Sequence, residues 1–355
     1  MKAGIAAFIA VTVAICVPAG STCPPKVAAS ITQTAATEER IVQSLGPRWS
    51  ALRVAVSPDG RRVAILFIEN RTVEDRVNVY SLSSGKVTAT LKGMAVGQNL
   101  EQLAWHPARP ILAVSGGHEW FPNDPTPAGM VFLMDARSGR IVRKLEVGGD
   151  PQAPLAWLPD RRTILTDAYL LDTRTDRLSD GRVPGLASLE GNIGSLDAGP
   201  RWTIAAEVWP PVPEEKFYLE ESKAAQIEVY RRLPGKRLRY ALLATLRPDK
   251  GKSGKITSFR TEPAFLENGR LAYARVFLGP DGKRQRVELW TSRPDGKDER
   301  KWLGLPLIPA TEPPLGGSDG KYRLTPVSWS RDGRVLAYTL GNQIHVKGVR
   351  PPAAR

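Results

Sequence analysis

Thiols and imidazoles are scarce in this chain: 355 residues contain two cysteines and three histidines. Cys16 and Cys23 both lie near the N-terminus, so the rest of the chain has no disulfide and no thiol chemistry. His106, His118 and His345 are far apart in sequence, and no histidine cluster of the kind that holds zinc or copper is apparent. There is no glycine-rich phosphate loop and no H-E-x-x-H. Sustained helical periodicity is missing too, which leaves short runs rich in Val, Ile, Leu, Tyr and Trp. Acidic residues are outnumbered, 36 against 50 Lys and Arg, for a formal charge of +14. The basic residues are spread over many segments, not gathered into a compact basic-aromatic module, so nucleic acid is not an expected partner. Anionic polymers and membrane surfaces stay open as partners.

The first residues, MKAGIAAFIAVTVAICVPAG, have one Lys, an apolar stretch and then small residues, the anatomy of a secretory signal. We read 1–21 as a signal peptide, with export to the periplasm expected; the rival is a retained anchor. Cys23 follows closely and is a lipid-acceptor candidate that would tether the chain to a membrane. The residues before it, Gly20-Ser21-Thr22, depart from the usual lipoprotein pattern. Residues 22–38 are polar, small and proline-led, and read as a flexible tether.

What the remainder does contain is a repeat. VAVSPDGRRVAI (from Val54) returns as VSWSRDGRVLAY (from Val327), with LAWHPARPILAV, LAWLPDRRTILT, SLDAGPRWTIAA and AFLENGRLAY between. Each copy reads as strand, tight turn, strand, and Trp105, Trp157 and Trp329 fall at one place in it. His106 takes a place held by Ser or Leu in other copies, which points to a structural role. Second hairpins follow, as in RVNVYSLSSGKVTATL and MVFLMDARSGRIVRKL. Four strands per unit predict an all-β fold, a single β-propeller of six four-stranded blades over 39–350, with seven as the alternative count and 351–355 as a tail. The sixth unit lacks its last strand. ERIVQSLG (from Glu39) shares Arg-Ile-Val with the fourth strand of the second unit, so an N-terminal strand is expected to complete the last blade.

These motifs resemble the TolB-type, WD-like propeller repeats of bacterial envelope proteins, whose hallmark is the SPDG turn. The resemblance runs from Glu39 to Gly348 and is weakest in the fourth unit, where DAG replaces that turn. It implies the propeller fold and a tendency to bind partners, and no reaction.

Strand alternation puts the first–second and third–fourth turns on one face of the ring and the remaining connections on the other. The first set is short; the second carries the excess length. Two long loops place aromatics beside carboxylates: His118, Glu119, Trp120, Phe121 and Asp124 in one, Trp209, Glu214, Glu215, Phe217 and Tyr218 in the other. Such residues on a rigid scaffold suit a protein partner. Arg275, Lys283, Arg284 and Arg286 form a second candidate group, for an anion. The expected function is thus a non-catalytic, exported, monomeric scaffold without cofactor or metal. One alternative is a propeller enzyme or glycan binder with carboxylates at the funnel mouth, for which Glu119 with Glu214 would be a pair. Another is a binder of anionic envelope polymer or lipid.

Overall fold

The computed structural model describes residues 39–44, 49–69, 75–92, 98–118, 129–147, 153–166, 168–186, 189, 193–209, 225–279, 284–305, 327–340 and 343–349. The leader, the tether and Cys23 lie outside them. No α-helix occurs among the described residues. The chain enters on β1 (Glu39–Ser44) and builds blade I from β2 (Trp49–Val56), β3 (Arg62–Glu69), β4 (Asp75–Ser81) and β5 (Val87–Lys92). Blade II follows with β6 (Gln98–Trp105), β7 (Ile111–His118), β8 (Met130–Asp135) and β9 (Ile141–Glu146). Blade III is the leanest, β10 (Leu155–Trp157), β11 (Thr163–Thr166), β12 (Tyr169–Asp172) and β13 (Arg177–Leu178). Blade IV comprises β14 (Ile193–Ala198), β15 (Ile204–Val208), β16 (Gln226–Arg232) and β17 (Tyr240–Leu246). Blade V has β18 (Asp249–Lys250), β19 (Ile256–Phe265), β20 (Leu271–Leu278), β21 (Arg284–Ser292) and β22 (Arg300–Leu305). Blade VI has β23 (Val327–Trp329), β24 (Val335–Leu340) and β25 (Gln343–Gly348), and β1 pairs antiparallel with β25 to complete it.

The count is therefore six blades, and the N-terminal strand closes the ring. Blade V differs from expectation: its inner strand begins at Ile256, upstream of the repeat, and a two-residue strand adds a fifth member to its sheet. Each sheet is sandwiched between two neighbours, so second strands such as β3 are buried from Val63 to Phe67 on both faces. Such strands read as continuous apolar runs. The core is accordingly divided into six clusters, one per blade boundary. Ala64, Leu66 and Val77 meet Leu112, Val114 and Phe132 between blades I and II, and Val63 and Ile65 meet Ala337 and Ile344 between I and VI.

The repeated turn owes its form to local hydrogen bonds. Ser57 Oγ donates to Asp59 Oδ1 (2.6 Å), and the same two side chains accept from the Arg62 and Arg61 amides. Ser330 and Asp332 repeat this set in blade VI, and Gly60 and Gly333 both take positive φ at the bend. In blade II His106 replaces the serine. Its Nδ1 accepts from the Ala108 and Arg109 amides (3.0 and 2.9 Å), while Nε2 lies 3.0 Å from the Arg161 carbonyl of blade III. Burial pushes the imidazole below its ordinary pKa.

The recurring tryptophan bridges blades. Trp105 Nε1 donates to the Ala55 carbonyl of blade I (2.8 Å), and Trp157 Nε1 to Ala104 of blade II (3.1 Å). Trp329 is buried as well, but its Nε1 has no acceptor among the described residues. The equivalent carbonyl is that of Ala264, and the register of β19 with β20 breaks between Thr261 and Ala264.

Candidate functional site

The inner strands β2, β6, β10, β14, β19 and β23 surround the ring axis. Blades I and IV stand opposite one another, so a side chain of one reaches the other only across that axis. Arg53 of β2 does so: its Nη2 donates to the Gly194 carbonyl of blade IV (3.2 Å). Its Nη1 lies 3.5 Å from Glu262 Oε1 of blade V.

Glu262 sits in the irregular stretch of β19 and has φ of +52°. A side chain-bearing residue held in that left-handed region costs on the order of 1 kcal/mol, and such outliers gather at functional sites. Next to it is Glu207 of β15, which is 3% exposed. Glu207 Oε2 accepts from Ser195 Oγ (3.1 Å), Thr261 Oγ1 (2.6 Å) and the Glu262 amide (3.0 Å), and Oε1 accepts from Trp209 Nε1 (3.1 Å). All four donors are neutral, and together they hold a carboxylate in place without a cation. Gly194 makes room for it, since a Cβ there would stand 3.1 Å from the Glu207 carboxyl and from the Trp209 ring. Burial, with repulsion from Glu207, pushes the Glu262 carboxyl up to about 7 against the opposing pull of Arg53. Two carboxyl groups, the Glu262 one raised to about 7, and one guanidinium thus converge here. Ser195 and Thr261 both spend their hydroxyl protons on Glu207.

A second crossing lies nearer the short-turn face. Arg331 of the blade VI turn forms a bidentate pair with Asp197 of blade IV (2.9 and 3.1 Å) and donates to the Phe265 and Ala198 carbonyls.

Of the loop residues singled out in the sequence, Trp209 is described: it is half-buried and anchored on Glu207, at the root of the blade IV insertion. His118 ends β7, and its side chain is outside the described set. Glu119, Trp120, Phe121, Asp124, Glu214, Glu215, Phe217 and Tyr218 lie outside the described residues. Of the basic group, Arg275 and Arg286 place their guanidinium carbons 5.0 and 4.1 Å from the Phe277 ring centre. Arg275 also pairs with Asp249 (2.6 Å) and Arg286 with Glu288 (3.0 Å). Lys283 and the Arg284 side chain are outside the described set.

Sequence reasoning missed Arg53, Ser195, Glu207, Thr261 and Glu262. A signal existed for one of them: Glu207 is the only charge in IAAEV, an otherwise apolar strand buried throughout.

No family model matches the chain, and no curated protein matches it. Among solved structures, it is similar to a chain in the crystal structure of a mitotic checkpoint complex: 15% identity, 88% of this chain and 80% of that chain covered, TM-score 0.48. It is also similar to TolB from Acinetobacter baumannii: 11% identity, 84% of this chain and 66% of that chain covered, TM-score 0.46. At these identities the likeness is one of fold alone.

Proposed function

We propose that this chain is an exported propeller scaffold that binds a protein partner through the face bearing its long connections. The observation that carries the reading is the asymmetry of the ring. One face ends in tight turns, which in blades I and VI share the same Ser, Asp and Gly contacts. The other must accommodate the segments from His118 to Met130, from Val208 to Gln226 and from Leu305 to Val327. Blade III joins its second strand, ending at Thr166, to Tyr169 with almost no intervening chain, so that length is not required for closure. Trp209, held by Glu207, gives the blade IV insertion a rigid root, and rigid aromatic anchors favour partner binding because little entropy is lost on docking.

The test is a crosslinking capture from envelope extract, comparing the mature chain with a variant in which residues 119–128 become a short turn. A protein held by the first bait and lost with the second supports the reading. Equal capture by both folded baits, or none by either, removes this loop from it. Capture that fades as salt rises would assign the binding to an anionic polymer or lipid instead.

A second reading is favoured by one specific observation, the convergence of Arg53, Glu207 and Glu262 on the axis. In that reading the funnel takes a small polar ligand, a sugar among the candidates, and Glu262 replaces Glu119 and Glu214 as the group to test. Glu262→Gln would then weaken ligand binding while leaving partner capture intact.

A further inference from the structure

The fourth unit departs from the repeat, with Asp-Ala-Gly-Pro-Arg where blades I and VI have the serine-aspartate turn, and its consequence lies on the short-turn face. Without those caps the turn closes through the Gly199 amide to Thr203 (2.7 Å), and Trp202 takes φ of +60°. Blade V places Phe265 at the position of the recurring tryptophan. The ring packs so closely under Gly199 that a Cβ there would stand 2.7 Å from it. Between the two blades a cavity of about 250 Å³ opens above this ring, walled by Pro200 and Pro294 and edged by Arg201, Arg270 and Arg293. Among the described residues, no Asp or Glu lines it.

The three arginines are not equivalent. Arg270 is buried and fixed by the Asp298 carboxylate and carbonyl, both at 2.8 Å. Arg293 is exposed and pairs with Asp295 (2.9 Å). Arg201 is exposed and makes no hydrogen bond or ion pair with any described residue. Apolar walls of two prolyl rings, with an uncompensated guanidinium at the lip, are complementary to a molecule that is apolar at one end and anionic at the other. The positive field of a chain with net charge +14 favours its approach.

We propose that this cavity binds a small organic anion: a carboxylate or phosphate monoester on a compact ring. The ring would lie between Pro200 and Pro294, and the anionic group would meet Arg201 and Arg293. The site is separate from the partner face and from the axial carboxylates, so its fate is independent of theirs.

Ligand-detected NMR titrations of the full folded chain with benzoate and phenyl phosphate test the proposal, with inorganic phosphate and benzyl alcohol as charge-only and ring-only controls. Saturable binding of at least one of the two ring-bearing anions, tighter than either control, is expected. Arg201→Gln, an exposed change that leaves the melting temperature in place, should weaken it at least about tenfold, the loss expected for one charge-assisted hydrogen bond. Arg237→Gln, an exposed arginine in the next hairpin of blade IV, should leave it unchanged. Binding that never saturates, that inorganic phosphate reproduces with equal affinity, or that survives Arg201→Gln overturns the proposal.

Discussion

Two titratable side chains, one half-buried and one buried, give this molecule opposite responses to pH. Glu262 has a folded-state pKa raised to about 7, well above its ordinary value of 4.5. The folded chain therefore keeps a proton that the unfolded chain has already lost, and stability from this group declines as pH rises from 4.5 through 7. Glu262→Gln should abolish that decline, a change on the order of 1–3 kcal/mol between pH 5 and 8 in urea denaturation. An unaltered slope would show that Glu262 is charged throughout. His106 works the other way. Its pKa is depressed by burial, so its contribution is present above its ordinary value of 6.5 and is lost as pH falls below it. Serine already fills this turn position in blades I and VI, so His106→Ser should retain the turn and lessen the fall in melting temperature on acidification. Measuring both in the Glu262→Gln background keeps the two slopes apart.

At the level of elements, the clasp between β1 and β25 decides whether the ring stays shut. Backbone pairing from Glu39 with Lys347 to Ser44 with Gln343 is reinforced at one end by side chains. Glu39 Oε1 accepts from Tyr338 Oη and lies 2.7 Å from His345 Nδ1, also the length of the tyrosine bond, and the His345 ring stacks on Tyr338. These hydrogen bonds, Tyr338 first, hold the Glu39 carboxyl below its usual range. Glu39→Ala should cost about 1–3 kcal/mol, the range for hydrogen bonds to a charged group, and speed amide exchange in β25 before any other blade. Removing Glu39–Ser44 altogether bares the edge of β25, and light scattering should then report self-association. A monomeric deletion variant would mean that the edge is protected by something else.

Across the whole molecule, the ring is braced by arginines that span it. Each blade boundary has its own apolar cluster, so neighbouring blades are bound locally; Arg331 adds a tie from blade VI to blade IV over the top of blade V. Arg331→Met would leave Asp197, which accepts from both guanidinium nitrogens and the Phe265 amide, without its cation. The expected loss is about 3 kcal/mol, because breaking such a pair strands the remaining charge. Adding Asp197→Asn should recover part of that loss. A double variant no better than the single would locate the cost in packing of the arginine stem, not in the stranded charge.

Local chemistry explains why so much of this architecture was legible in the chain. The Asp-Gly turns, their serine and aspartate caps and the apolar runs act within a few residues, and each copy repeats the same short-range contacts. Even the closing strand could be read, because Arg-Ile-Val at Glu39–Ser44 repeats β9. The axial constellation was not legible, since Arg53, Glu207 and Glu262 come from three blades and each sits in a strand whose pattern only announces an inner or second strand. Glu262 also depends on a bulge that the regular repeat gives no reason to expect, and the cavity over Phe265 on a phenyl packing against a glycine of the neighbouring blade. Repetition is a property of the chain, whereas convergence on an axis exists only once the sixth blade has met the first.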